Sequence, residues 1–189
     1  YHAGQYINIL WPDGSRRSFS FASAPRPDTA EIELQIRRID GGRFTPAVFE
    51  TMKTGDRLKF EGPLGAFTLR EDSDKPIIFV AGSTGFAPVK SMVEHAFRTG
   101  LQRRMILYWG VRRRRDLYLG ALAEEWAREH ANFTFIPVLS KPEAGDHWEG
   151  RTGLVHEAIL ADFPDLSTHQ VYACGSVGMV EAAYPAFMA

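Results

Sequence analysis

From Gln5 to Arg70, apolar and polar residues alternate in short runs: Gln5–Leu10, Arg17–Ala22, Glu31–Ile39, Arg57–Glu61 and Phe67–Arg70. Turn-forming residues interrupt them at Pro12-Asp13-Gly14, Gly41-Gly42 and Gly62-Pro63. A period of two broken in this way predicts half-buried strands, and so a small antiparallel sheet or barrel. One short helix is expected within it, with Thr45 as N-cap, Pro46 at the first helical position and Gly55 just past the end.

Beyond the polar link Glu71-Asp72-Ser73-Asp74-Lys75-Pro76 the pattern changes. Continuous apolar runs at Ile77–Ala81, Met105–Trp109, Phe133–Leu139 and Val171–Cys174 alternate with helical segments at Pro88–Arg98, Leu119–His130 and Leu154–Leu160. Strands that are apolar at every position are buried on both faces, so this half predicts a doubly wound parallel sheet. Two domains are expected: an antiparallel β-barrel over residues 1–72 and an α/β domain over residues 76–189, parted where charge and proline replace periodicity.

Composition narrows the function. The 189 residues, 44% of them hydrophobic, suffice for two small cores. Lys+Arg 22 against Asp+Glu 23 leaves a net charge of −1, so no overall field draws the chain to nucleic acid or to an anionic membrane. The single cysteine, Cys174, excludes an internal disulfide and a four-cysteine metal or iron–sulfur site within the chain. No apolar run is long enough to span a bilayer and the start does not read as a signal peptide, so a cytoplasmic location is expected. The chain begins at Tyr1 without a methionine, inside an alternating pattern, and stops at Ala189 inside a helical one; it is expected to be a fragment.

Chemistry concentrates in a few loops. Val80-Ala81-Gly82-Ser83-Thr84-Gly85-Phe86-Ala87-Pro88 joins the first parallel strand to a helix, and its glycines would let backbone N–H groups approach a diphosphate at the helix N-terminus. Ligands of open α/β sheets lie beyond the carboxyl ends of the strands. The loop Gly110-Val111-Arg112-Arg113-Arg114-Arg115-Asp116 and the turn Cys174-Gly175-Ser176-Val177-Gly178-Met179 are placed to meet the same ligand, with one or two of the four arginines expected to touch it. In the first half, Arg17 and Phe19 share a strand face beside Ser20, a cation, an aromatic ring and a hydroxyl suited to a flat phosphorylated ligand. Each of these, taken alone, is also what an ordinary turn, a solvated basic loop or a half-buried strand looks like.

Their order is more specific. Arg17-Ser18-Phe19-Ser20, Gly41-Gly42-Arg43-Phe44-Thr45, Gly62-Pro63-Leu64-Gly65-Ala66-Phe67, Ala81–Pro88, Gly110–Tyr118 and Cys174–Met179 run across nearly the whole chain. This series resembles the ferredoxin-reductase flavoprotein family, especially its CDP-6-deoxy-glucoseen reductase-like and flavin-reductase-like members. The resemblance implies a flavin barrel followed by a nucleotide domain, with FAD and NADH or NADPH in the cleft between them. Carried over, it makes Arg17 a partner of a flavin phosphate, lays Phe19 against the isoalloxazine and sets Ser20 near flavin N5. It gives Ser18, Gly42, Arg43, Phe44 and Thr45 to the flavin and its diphosphate. Gly82, Thr84, Gly85 and Pro88 go to the nicotinamide dinucleotide, with Gly110, Arg112 and Asp116 in the next loop, Cys174 and Gly175 lining the nicotinamide pocket, and Met179 also among the cofactor-binding residues. Ser176 stands where the family often has proline, and Phe19 where it often has tyrosine; its opening barrel strands and last strand are absent.

The expected reaction is hydride transfer from NAD(P)H, NADH favoured, to bound FAD, with electrons passing on to a [2Fe–2S] centre on a missing domain or a separate partner. Ser20 and Cys174 are the residues nearest the chemistry, Ser20 at N5 and Cys174 as packing for the nicotinamide. Two alternatives stay open: a reductase of diffusible flavin, and a non-catalytic nucleotide-binding subunit.

Overall fold

The computed structural model describes residues 1–189. In the first half, β1 (Tyr6–Leu10), β2 (Arg16–Ser20) and β3 (Lys59–Leu64) form an antiparallel sheet in the order β2-β1-β3. Period-two alternation decides its faces. Ile7 stands opposite Phe19 and Ile9 opposite Arg17. Ile7, Ile9, Phe21 and Phe44 make a small buried cluster, against which Phe19, Leu34 and Ile36 pack.

Two expected strands are not strands. Glu31–Ile39 contributes one bridge, Phe21 to Leu34, and Phe67–Arg70 none. Their alternation arises from packing: Leu34 and Ile36 turn into the small cluster, and Phe67 and Leu69 onto the larger core of the second half. Extended chain can alternate its side chains without a hydrogen-bonded neighbour. The short helix α1 spans Phe44–Glu50, so Arg43, not Thr45, is its N-cap, and Thr51, not Gly55, follows its end. Thr45 is drawn inside because its Oγ donates to the Ile39 carbonyl and accepts the Ile39 N–H, both at 3.0 Å.

The second half is a five-stranded parallel sheet of β4 (Ile77–Gly82), β5 (Met105–Val111), β6 (Phe133–Leu139), β7 (Arg151–Thr152) and β8 (Gln170–Cys174), in the order β7-β6-β5-β4-β8. The two-residue β7 carries no apolar run and so leaves no trace in the hydrophobic pattern. Helices α2 (Phe86–Arg98), α3 (Gly120–Glu129), α4 (Val155–Asp162) and α5 (Val177–Met188) cover both faces. Along β4, Ile77, Phe79 and Ala81 join Val89, Met92 and Val93 of α2 and Ala123 and Trp126 of α3. Ile78 and Val80 turn the other way, onto Val155, Ala158 and Ile159 of α4. A strand covered on both faces needs an apolar side chain at every position, and that is why these runs do not alternate.

From β4 the chain builds outward through β5, β6 and β7, then returns to the opposite side of β4 as β8. This reversal puts the carboxyl ends of β4 and β8, where Gly82 and Cys174 lie, at the place where open α/β sheets bind ligands. No helix is long and apolar enough to cross a membrane.

Candidate functional site

At that reversal two glycine loops touch. A Cβ on Gly85 would fall 2.0 Å from the Cys174 carbonyl oxygen, and one on Gly175 would fall 3.1 Å from the Gly82 Cα. One on Gly82 would meet the Met179 sulfur at 2.4 Å. These glycines are therefore required first by protein against protein: their bare backbones bring the two strand ends together, and Met179 fills the space beside them. Between them Ser83, a non-glycine residue at φ +51°, adopts a left-handed turn. Trp109 at the end of β5 donates its indole N–H to the Ser83 carbonyl at 3.0 Å and stacks on Phe86 at 3.9 Å between centroids. A strained loop is held in shape by aromatic packing beneath it. Pro88 lies buried in the first turn of α2. Cys174 is half-buried, and burial pushes its thiol above the usual range, so it remains a protonated packing group at neutral pH.

The loop after β5 spends much of its charge on itself. The Asp116 carboxylate accepts the Arg113 N–H at 3.0 Å and closes a short turn, so it faces its own loop. Arg113 pairs with Glu143, and Arg114 donates to the Asp146 carbonyl at 3.3 Å. Arg112 and Arg115 stay exposed, as the two cations left for a ligand. Gly110 backs onto α4, where a Cβ would meet Val155 Cβ at 2.8 Å. The Lys141 N–H donates to the Arg112 carbonyl at 3.0 Å, which sets the two cationic residues side by side at the end of the sheet.

In the first half, Arg17 and Phe19 share one face of β2 and Ser18 and Ser20 the other. Phe19 is half-buried and tilted against Phe44 at 5.4 Å between centroids; the Ser18 hydroxyl donates to Asn8 at 2.7 Å. Arg17 is exposed and its guanidinium is held only by the neighbouring Arg16 carbonyl, at 2.8 Å. Arg43 reaches the Asp13 carboxylate at 4.0 Å with most of its side chain in solvent. Ser15, whose backbone N–H donates to the Asp13 carboxylate at 2.9 Å, holds Asp13 below the usual carboxylate range, and Arg17 and Arg43 add to this. Arg43 follows Gly42, whose exposed loop would leave a Cβ no neighbour nearer than 3.5 Å. The unburied guanidinium of Arg43 beside an open glycine loop, and that of Arg17 on β2, have the chemistry to pair with phosphate. Thr45 has no proton to add, since its hydroxyl donates to Ile39.

Contacts at the seam join the halves, among them Arg37 donating to the Ser83 hydroxyl at 3.2 Å, Tyr118 donating to Gln35, and Lys90 donating to the Ala22 carbonyl at 2.9 Å. Sequence reasoning singled out none of the side chains Gln35, Arg37, Ser83, Lys90 and Tyr118. Lys90 alone leaves a local mark, a cation in an otherwise apolar helical stretch with Glu94 four residues on.

Comparison with known proteins identifies the family of each half. The oxidoreductase FAD-binding domain family matches residues 1–69 and the oxidoreductase NAD-binding domain family residues 79–184. The chain is 46% identical over 183 residues to CDP-6-deoxy-L-threo-D-glycero-4-hexulose-3-dehydrase reductase of Yersinia pestis, covering 97% of this chain and 54% of that protein. It is 37% identical to NAD(P)H-flavin reductase of Aliivibrio fischeri, covering 99% of this chain and 80% of that one. Among solved structures, a cytochrome P450 reductase of Amycolatopsis superposes with a TM-score of 0.89 at 35% identity, over all of this chain and 57% of the other. The chain thus spans about half the length of several of its relatives, and it belongs to the ferredoxin-reductase-type family of FAD- and NAD-binding oxidoreductases.

Proposed function

We propose that this chain is the reductase unit of a flavoprotein that takes hydride from NADH onto bound FAD and passes electrons to an iron–sulfur acceptor on a further domain or a separate protein. In this reading residues 1–72 hold the flavin and residues 76–189 the nucleotide. The observation that supports it is the meeting of two glycine loops at the carboxyl ends of β4 and β8, fastened across the seam to the half that bears Arg17–Ser20. FAD supplies the ability to accept a hydride and release electrons singly; the protein supplies orientation and electrostatics.

Arg17 and Arg43 hold the flavin phosphates, with Gly42, Phe44 and Thr45 shaping the loop between them. Phe19 lies against the isoalloxazine, and Ser20 donates a hydrogen bond near N5. On the other side, backbone from Gly82 through Thr84 to Gly85 and the start of α2 hold the nucleotide diphosphate, Arg112 reaches it from the next loop, and Cys174 packs against the nicotinamide. No general base is needed. The lone cysteine provides no cluster ligands in this chain, so an iron–sulfur acceptor must be supplied from outside it.

The 37% identity to a flavin reductase supports a second reading, in which flavin is a substrate that leaves after reduction. The purified full-length protein separates the two: tightly bound yellow flavin bleached by NADH is expected, whereas a colourless protein that oxidises NADH only with added flavin would favour the second. Ser20→Ala is expected to keep FAD bound while bleaching about tenfold more slowly in stopped flow, because its hydrogen bond matters most as hydride arrives. Equal rates would remove Ser20 from the reaction.

A further inference from the structure

The ammonium of Lys90 is buried, with 7% of its side chain exposed, in the middle of α2. Its three protons meet three acceptors: the Ala22 carbonyl at 2.9 Å, Glu33 Oε2 at 2.8 Å and Glu94 Oε1 at 2.7 Å. The first two belong to the antiparallel half and the third to α2 itself. Glu94 uses its other oxygen to accept the Ala24 N–H at 3.0 Å, Ser91 donates to the Ser23 carbonyl at 2.6 Å, and Arg98 donates to the Pro25 carbonyl. One face of α2 thus grips residues 22–25 along their whole length.

Both ends of this grip lead to the site. Residues 22–25 follow β2 almost directly, so Ala22 is two residues from Ser20. In the other direction α2 starts at Phe86, immediately after the Gly82–Gly85 loop, and Lys90 lies one turn in, roughly 6 Å along the axis. The helix that carries the nucleotide loop at its tip therefore holds the flavin strand by its flank.

We propose that Lys90 is a positioning residue for hydride transfer, setting the separation and tilt at which nicotinamide and flavin meet. The inference rests on the function proposed above. Direct transfer requires reacting atoms about 3–3.5 Å apart, and a misplacement near 1 Å costs about a hundredfold in rate. An apolar side chain at position 90 would fill the space but leave Glu33 and Glu94 facing each other without a cation, and the seam would open by repulsion. Glu33 reinforces the position from the flavin side, and Lys90 touches neither ligand.

The test uses the full-length protein with its flavin and the variants Lys90→Met and Glu33→Gln. The second keeps the Lys90–Glu94 pair within α2 and removes only a carboxylate from across the seam. Dissociation constants for FAD and NADH are measured separately from the limiting rate of flavin reduction at saturating NADH. Expected for Lys90→Met are dissociation constants within about threefold of wild type and a limiting rate at least about tenfold lower, with faster hydrogen exchange at the Ala24 amide. Glu33→Gln is expected to shift the limiting rate in the same direction by a smaller factor, and it decides the matter if Lys90→Met does not fold. Wild-type limiting rates in the variants that fold, or a loss of activity accounted for by weaker FAD or NADH binding, overturn the role of Lys90 alone. A wild-type flavin reduced by neither NADH nor NADPH overturns the proposed function and the role of Lys90 together.

Discussion

Asp13 is a carboxylate that both Arg17 and Arg43 act upon, so in the proposed function a flavin phosphate held by these arginines would compete with it. Opposite consequences are expected from changing the anion and the cation. Arg17→Ala removes a charge-assisted contact worth about 1.5–3 kcal/mol, so the FAD dissociation constant should rise roughly ten- to a hundredfold. Asp13→Asn removes the competing charge and should tighten binding by about two- to fivefold, an effect that salt screens. Fluorescence titration of the full-length apoprotein at two ionic strengths checks both, and an unchanged constant for Arg17→Ala would take it out of the phosphate site. The types and order of these residues are legible in the sequence. Their commitments are not: Thr45, Asp116 and Arg113 have the right chemistry for a ligand, yet each is engaged by Ile39, by its own turn or by Glu143.

At the scale of elements, the loops that end the parallel strands differ in what their glycines do. Gly85→Ala drives a Cβ to within 2.0 Å of the Cys174 carbonyl, so α2 or β8 must move. A cost of about 3 kcal/mol or more is expected, together with weakened nucleotide binding. Gly42→Ala meets only ordinary contacts and should change stability by less than about 0.5 kcal/mol. Chemical denaturation of the two variants makes the comparison, and equal midpoints would contradict the packing role of Gly85. Nucleotide choice belongs to the neighbouring loops. Lys141 is tied by its backbone to Arg112, and with NADH as donor no side chain is dedicated to a 2′-phosphate, so Lys141→Ala should leave kcat/KM for NADH unchanged. A preference for NADPH that falls about ten- to a hundredfold in Lys141→Ala would overturn that assignment.

For the molecule as a whole, acid stability is expected to follow His169, which leads into β8 and lies edge-on to Phe163 at 4.9 Å between centroids. Burial lowers its pKa below the ordinary 6.5, so the unfolded chain takes up the proton more readily than the folded one. Its contribution is therefore fully present above about pH 6.5 and is lost as pH falls through the lower folded value. Thermal melting from pH 7.5 to 5 should show this decline, and His169→Gln should flatten it; identical slopes would remove His169 as a cause. The sequence by itself determined that there are two halves, one of half-buried extended chain and one of strands buried on both faces, and where the glycine loops fall between strand and helix. Those properties are local, written in periods of two, in unbroken apolar runs and in turn residues a few positions apart. Only the tertiary structure decided that Glu31–Ile39 would lie extended with a single bridge, that Gly82, Gly85 and Gly175 are bare so that two strand ends can touch, and that Lys90 would be buried at the seam with acceptors from both halves. Lys90 and Ala22 are 68 residues apart. No periodicity records that distance, because a buried ammonium is satisfied by whichever acceptors folding brings to it.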